Sequence, residues 1–150
     1  MIVKFEQHTD IDAPVETVWA LITDPARWPL WFPDMSQAPS LSALQSGGSF
    51  TWQDGSENGT GSIVHLGDSD LQVVTHVGDK QVTHTFTVGR HGGLFGVGGH
   101  DTRLTYRMEY DPPGSLLGDF IASGNPVDAL KVKHTLGKVK ELAEGQAGNN

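Results

Sequence analysis

Residues 2–11 alternate: Val3, Phe5, Gln7, Thr9 and Ile11 fall on one side of an extended segment, and Lys4, Glu6, His8 and Asp10 on the other. A period of two with one apolar side predicts a half-buried strand. The period then changes. Val15, Val18, Trp19 and Ile22 recur at helical spacing, Asp12 offers an N-cap oxygen, Pro14 stands where a missing N–H costs nothing, and Glu16 sits beside the positive end of the dipole. The spacing predicts a short helix over about residues 14–23, ended by Asp24-Pro25, which opens a further turn through Trp28 to Trp31.

Beyond Pro33 the helical period is lost, and Gly, Ser, Thr, Asp and Asn divide the chain into short β-rich runs up to about residue 111. Side chains directly across an antiparallel ladder share a face, so apolar matching predicts registers. A turn at Asp79-Lys80 sets Val77 opposite Val82, Thr75 opposite His84, Val73 opposite Phe86 and Leu71 opposite Val88. A turn at Asp68-Ser69 sets Leu66 opposite Leu71, Val64 opposite Val73 and Ser62 opposite Thr75, leaving His65, His76, Thr83 and Thr85 on the wetter face. Near Asp54-Gly55 the register stays open, because bringing Phe50 and Trp52 onto the apolar face requires an odd-length loop or a bulge. A last strand over about 101–110 alternates Leu104, Tyr106, Met108 and Tyr110 against Arg103, Thr105, Arg107 and Glu109. Between the strands, Gly89, Gly92, Gly93, Gly96, Gly98 and Gly99 surround Leu94 and Phe95 in a loop that could cover a cavity mouth. A strand follows this glycine run rather than a helix, so it is no phosphate cradle.

Pro112-Pro113-Gly114 stops the sheet. Leu116, Leu117, Phe120 and Ile121 open a helix that Gly124-Asn125-Pro126 breaks or kinks. Val132, Leu136, Val139 and Ala143 then form a stripe facing the sheet, with Lys131, Lys133, Lys138, Lys140 and Glu141 largely toward water. Residues 145–150 are small and polar and are expected to fray. This element order predicts an α+β helix-grip fold: one curved antiparallel sheet of about six to seven strands around a long C-terminal helix, with two short helices after the first strand. The 150 residues form a single domain on this reading.

Composition narrows the function classes. A hydrophobic content of 37% is too high for a disordered chain, and no apolar run approaches the ~20 residues of a membrane span. The opening MIVKFEQHTD lacks the basic and long apolar regions of a secretory signal, so a cytoplasmic location is expected. Without cysteine there are no disulfides, thiolate nucleophiles or thiolate metal sites. A net charge of -8 with no dense basic block argues against nucleic acid as a partner. Of the seven histidines, His65 and His76 share only the outer face, His84 points inward and His134 lies on the terminal helix. No pair has zinc-site spacing, so neither a metal nor another cofactor is expected. No serine stands in a nucleophile-elbow sequence.

The stretch IDAPVETVWALITDPARWPLWFPDM, followed at the far end by LKVKHTLGKVKELAE, resembles the polyketide cyclase/dehydrase and lipid-transport superfamily, the START-like relatives of birch-pollen allergens. The matching features are an I-x-A-P-x-x-x-V-W helix start at Ile11 to Trp19, a D-P-x-x-W second turn at Asp24 to Trp28 and an amphipathic terminal helix. Where many relatives carry G-T-R at the start of the last long strand, this chain reads Gly99-His100-Asp101-Thr102-Arg103 after a glycine-rich insertion. The resemblance implies a pocket between sheet and terminal helix. It leaves open which ligand is bound and whether any bond is made or broken.

The face carrying Val73, Thr75, Phe86 and Leu104 is the expected pocket wall, with Leu117, Phe120 and Ile121 contributed by the helix. His84 interrupts the apolar run Val82, Phe86, Val88; its imidazole either meets a ligand, as hydrogen-bond partner or general base, or bonds Thr75 across the hairpin as a core residue. Tyr106 either holds a ligand carbonyl or anchors the terminal helix. Trp28, Trp31 and Phe32 either stack on a ligand or seal the core, and Arg103 points outward. The leading expectation is a binding protein for a small apolar or amphipathic molecule. The alternative is a cyclase, aromatase or dehydratase in which His84 takes a proton alpha to a carbonyl and Tyr106 stabilises the enolate. A third class, an interaction module without a small ligand, would have a pocket filled by its own side chains.

Overall fold

Strand β1 (Val3–Asp12) pairs along its whole length with the last strand, β6 (Asp101–Tyr110), from Val3 opposite Tyr110 to Asp12 opposite Asp101. The first and last strands are thus neighbours in the sheet. Between them run β2 (Ser49–Asp54), β3 (Glu57–Leu66), β4 (Asp70–Val77) and β5 (Lys80–Arg90), giving one antiparallel sheet in the order β1-β6-β5-β4-β3-β2. The sheet curves around helix α2 (Pro126–Gly148), the helix-grip arrangement expected from the element order. The computed structural model describes residues 2–41, 44–78, 80–90, 101–111 and 126–148. The Leu94-Phe95 loop and the segment holding Leu117, Phe120, Ile121 and Gly124 lie outside the described residues, and among these no helix is long and apolar enough to cross a membrane.

Helix α1 (Val15–Ile22) buries Val18, Leu21 and Ile22, and a 3-10 turn over Pro25–Leu30 follows. Asp12 is not the N-cap. The strand runs through Asp12, Pro14 takes the cap position in extended geometry, and the Asp12 N–H donates instead to Glu144 Oε2 of α2 at 2.9 Å. Asp24 does cap the 3-10 turn, accepting from Ala26 N at 3.2 Å, and Trp28 Nε1 donates to the Ile22 carbonyl at 3.0 Å. These bonds fix the angle at which Trp28, Trp31 and Phe32 enter the core.

Two registers differ from the expected ones. In β4–β5, Val77 faces Lys80, Thr75 faces Val82, Val73 faces His84 and Leu71 faces Phe86. Gly78 supplies the left-handed φ of 57° that the tight turn needs. The pairing slides by two residues, which leaves every side chain on its expected face. In β3–β4 Leu66 faces Leu71 as expected, but a bulge between Ile63 and His65 then puts Ile63 rather than Val64 opposite Val73. Val64 is 51% exposed and Ile63 is buried.

That bulge also resolves the strand left open above. An even loop, Gly55-Ser56, joins β2 to β3, and Phe50 and Trp52 still reach the core face because the face switch occurs at Val64. Phe50 lies over Gly61 and Trp52 over Gly59; a Cβ at these glycines would stand 2.3 Å and 2.4 Å from the rings. The glycines therefore make room for two aromatic side chains on a flat patch of backbone.

On α2, Val132, Leu136, Val139 and Ala143 form the buried stripe. One expectation for this helix is corrected: Lys131 is turned inward, its side chain only 25% exposed. The helix runs through Gly148. Lys140 Nζ donates to the Asp10 carbonyl at 2.9 Å and lies 2.5 Å from Glu144 Oε2, tying the outer end of α2 to β1.

Candidate functional site

The inner faces of β4, β5 and β6 end, near the β4–β5 turn, in a row of Thr75, Val77, Lys80, Val82, His84 and Met108. The segment Phe32–Met35, which leaves the 3-10 turn, and the first turn of α2 close over this row. They leave a cavity of ≈ 60 Å³, with Trp52 on its β2 side. Asp34 takes a left-handed backbone (φ 57°), a conformation Asp tolerates better than most residues, and places its carboxylate on α2. Lys131 Nζ donates to Asp34 Oδ2 at 2.6 Å and lies 3.9 Å from Asp128 Oδ1. Tyr110 OH donates to the other Asp128 oxygen, and Lys80 Nζ stands 5.1 Å from the centre of the Tyr110 ring.

His84 lies at the base of the cavity, 4% exposed, with both ring nitrogens engaged: Nδ1 is 2.6 Å from Tyr106 OH and Nε2 is 3.1 Å from Thr75 Oγ1. Burial, reinforced by the Lys131 and Lys80 charges, pushes its pKa down to about 3, so the imidazole is neutral at physiological pH. Burial first, then Asp34 and Asp128, holds the Tyr106 phenol well above its ordinary range, so it too is neutral.

Proton counting then orients the line. A neutral imidazole donates from one nitrogen and accepts at the other, so the three groups hold three protons for two bonds. If Nδ1 carries the proton, the spare donor is Tyr106 OH, which is wholly buried with no further acceptor among the described residues. If Nε2 carries it, Tyr106 OH donates to Nδ1, Nε2–H donates to Thr75, and the spare proton is on the Thr75 hydroxyl at the cavity wall. An unsatisfied buried donor costs about 1–3 kcal/mol, so the second arrangement wins. The cavity base thus presents a hydroxyl donor backed by a dry, neutral relay.

Of the residues expected in the site, Phe32, Thr75 and His84 line the cavity. Trp28, Trp31, Val73, Phe86 and Leu104 are buried behind it in the core, and Tyr106 touches it only through His84. Their rings fill the interior: Phe86 stacks on Tyr106 with centroids 4.5 Å apart, Trp31 meets Phe86 edge-on at 5.2 Å and Trp28 stacks on Phe32 at 5.0 Å. Among the described residues, these side chains fill the space beside Val73, Phe86 and Leu104, and the cavity described above lies toward the β4–β5 turn. Arg103 is on the outer face, paired with Asp10 at 2.9 Å.

Sequence reasoning missed Asp34, Met35, Trp52, Lys80, Asp128 and Lys131 as wall residues. Lys80 was detectable once the turn was placed correctly, because it shares the alternation of Val82 and His84. Asp128 and Lys131 stand three apart on one helix face. Asp34 left no local signal.

The family model described as polyketide cyclase / dehydrase and lipid transport matches residues 3–144. Among curated proteins none matches. Solved structures do. The di-domain ARO/CYC StfQ from the steffimycin biosynthetic pathway superposes with a TM-score of 0.73 at 14% identity, over 99% of this chain and 52% of that one. A conserved protein from Geobacillus kaustophilus gives 0.70 at 12% identity over 95% and 96%. DynU16, from the dynemicin biosynthetic locus, gives 0.62 at 21% identity over 96% and 48%. The chain thus spans about half the length of StfQ and of DynU16. At these identities the likeness is one of fold.

Proposed function

The chain belongs to the polyketide cyclase/dehydrase and lipid transport family, and from that premise we propose that its cavity binds a small amphipathic molecule bearing an acceptor oxygen. The observation that carries this reading is the Thr75–His84–Tyr106 line, whose spare proton the counting above assigns to Thr75, set beside the apolar side chains of Phe32, Met35, Trp52, Val82 and Met108 with the charged groups gathered at the α2 side and the rim. The apolar body gains about 25 cal/mol per Å² it buries, and the oxygen is oriented by Thr75. The cavity of ≈ 60 Å³ is smaller than the roughly 150 Å³ that encloses a benzene ring. Met35 and Met108, unbranched and adaptable, are the wall residues that give way when a ring enters.

An enzymatic reading, a cyclase or dehydratase acting on a polyketide-like chain, has one observation in its favour: the 2.6 Å bond between His84 and Tyr106. The likeness to the ARO/CYC protein StfQ keeps it in view. Against it, a histidine with a pKa near 3 is a weak base, and its one lone pair is taken by Tyr106. Binding is the better supported function. Under the enzymatic reading His84→Gln lowers turnover about 10²-fold or more at unchanged affinity.

The test of binding is a titration of nitrogen-labelled protein with acetophenone, an aryl ketone, followed through the indole N–H signals of the four tryptophans. The Trp52 signal shifts saturably while that of Trp19, on α1 and away from the cavity, stays in place. A saturable shift confined to Trp19, or none at all, would overturn the reading.

A further inference from the structure

The four charges around the cavity are not equivalent. Asp34 is bonded to Lys131, Asp128 accepts from Tyr110, and Lys131 lies between the two carboxylates. Lys80 stands apart: its contact is the face of the Tyr110 ring, and among the described residues no carboxylate lies within ion-pair distance of it. It is nonetheless on the inner face, opposite Val77 and two residues before Val82, at the strand end where the cavity opens. A lysine on an apolar inner face keeps its ammonium hydrated by reaching for the rim, and here it rests on an aromatic ring. Its field still reaches the cavity base, since Lys80 contributes with Lys131 to holding His84 neutral.

We propose that the occupant of this cavity is an organic anion, an apolar body carrying a carboxylate or another acidic oxygen, whose charge is met by Lys80 at the rim. The inference rests on the binding reading above and adds the chemical class of the ligand. A cationic ligand would share Asp34 and Asp128 with Lys131, whose charge opposes it, whereas among the described residues an anion finds in Lys80 an ammonium with no ion pair to break. The surrounding wall also offers donors: the Thr75 hydroxyl and the Lys131 ammonium. With a net charge of -8, the chain as a whole repels anions, so any preference for one is local to this rim.

Benzoate and benzamide have nearly the same shape and differ in charge. Their dissociation constants are read from the Trp52 indole shift. Because Lys80 is exposed, the carboxylate binds tighter by about fivefold rather than by orders of magnitude. Lys80→Gln brings the ratio of the two affinities to about one, and so does salt at about 1 M, where the Debye length is about 3 Å. Lys133→Gln, on the exposed side of α2, keeps the ratio of the parent protein. Equal affinities in the parent protein, or a preference that survives Lys80→Gln, overturns the inference and leaves the binding reading standing. If neither compound moves the Trp52 signal, both fall together.

Discussion

Replacing His84 by Gln tests the electrostatics of the cavity base through stability. The folded pKa of about 3 lies below the 6.5 of an unperturbed histidine. Between those two values the unfolded chain holds a proton that the native state does not, so stability decreases as pH falls through about 6.5. The slope approaches 1.36 kcal/mol per pH unit, and titration of the unfolded imidazole between pH 7 and pH 5 integrates to about 2 kcal/mol. That figure holds for any folded pKa below about 4, so it depends on the burial of His84 rather than on the depth of the shift. Gln keeps polar atoms in the site and cannot titrate. Urea denaturation of both proteins at pH 7, 6 and 5 gives the stability difference at each pH. At pH 7 the variant is the less stable of the two, and the gap narrows by about 2 kcal/mol at pH 5. The remaining histidines are common to both proteins and cancel. A gap constant to within about 0.3 kcal/mol between pH 7 and 5 would show that His84 titrates alike in both states, and would refute the dry, neutral relay.

The relay also predicts that Tyr106→Phe costs about 2 kcal/mol in urea, since it removes a hydrogen bond and leaves His84 Nδ1 buried without a donor. Combined with His84→Leu, the double variant should lose less than the sum of the single losses; strict additivity would show that the two groups are not coupled. At Gly61 an added Cβ meets the Phe50 ring at 2.3 Å, so Gly61→Ala is expected to cost about 1–3 kcal/mol, and an unchanged urea midpoint would disprove that close approach. The β3 bulge predicts a contrast between neighbours: Val64→Thr alters stability by less than about 0.5 kcal/mol, whereas Ile63→Val costs roughly 0.5–1.5 kcal/mol. Equal costs would return Val64 to the core.

The fold was legible wherever period and punctuation agreed. The alternation of Val3 to Ile11 and of Leu104 to Tyr110 marks the first and last strands, and Val132, Leu136, Val139 and Ala143 mark the gripped helix. Registers were harder, because apolar matching cannot distinguish pairings that differ by two residues. The turn decides, and here the deciding residue is Gly78. The Val64 bulge was foreshadowed only as a requirement, from the conflict between an even loop and the burial of Phe50 and Trp52. For the site, alternation correctly gave the face of Thr75, His84 and Tyr106 but not the depth. Depth depends on how much of the interior is filled from the other side, and Trp28, Trp31 and Phe32 arrive from a separate element to fill it. No local pattern in β4 or β5 carries that information.

The position of the cavity decides what the site can recognise. Had the pocket extended through the core, Phe86, Val73 and Leu104 would make it an apolar slot with little orientation, suited to lipid chains of many shapes. Among the described residues the interior behind His84 is filled by side chains, and a ligand in the proposed cavity would meet Thr75, Lys131 and Lys80 within a short path from the mouth. Each of these offers protons. The acceptor oxygens at the same rim, those of Asp34 and Asp128, are already bonded to Lys131 and Tyr110, and the His84 lone pair is bonded to Tyr106. A wall whose base and rim give protons favours ligands rich in acceptor oxygen. Thr75→Val reverses one element of that choice: it removes the spare proton, so acetophenone loses affinity while ethylbenzene, which has no oxygen, gains or holds it. Parallel losses for both compounds would mean that Thr75 shapes the wall without donating to the ligand.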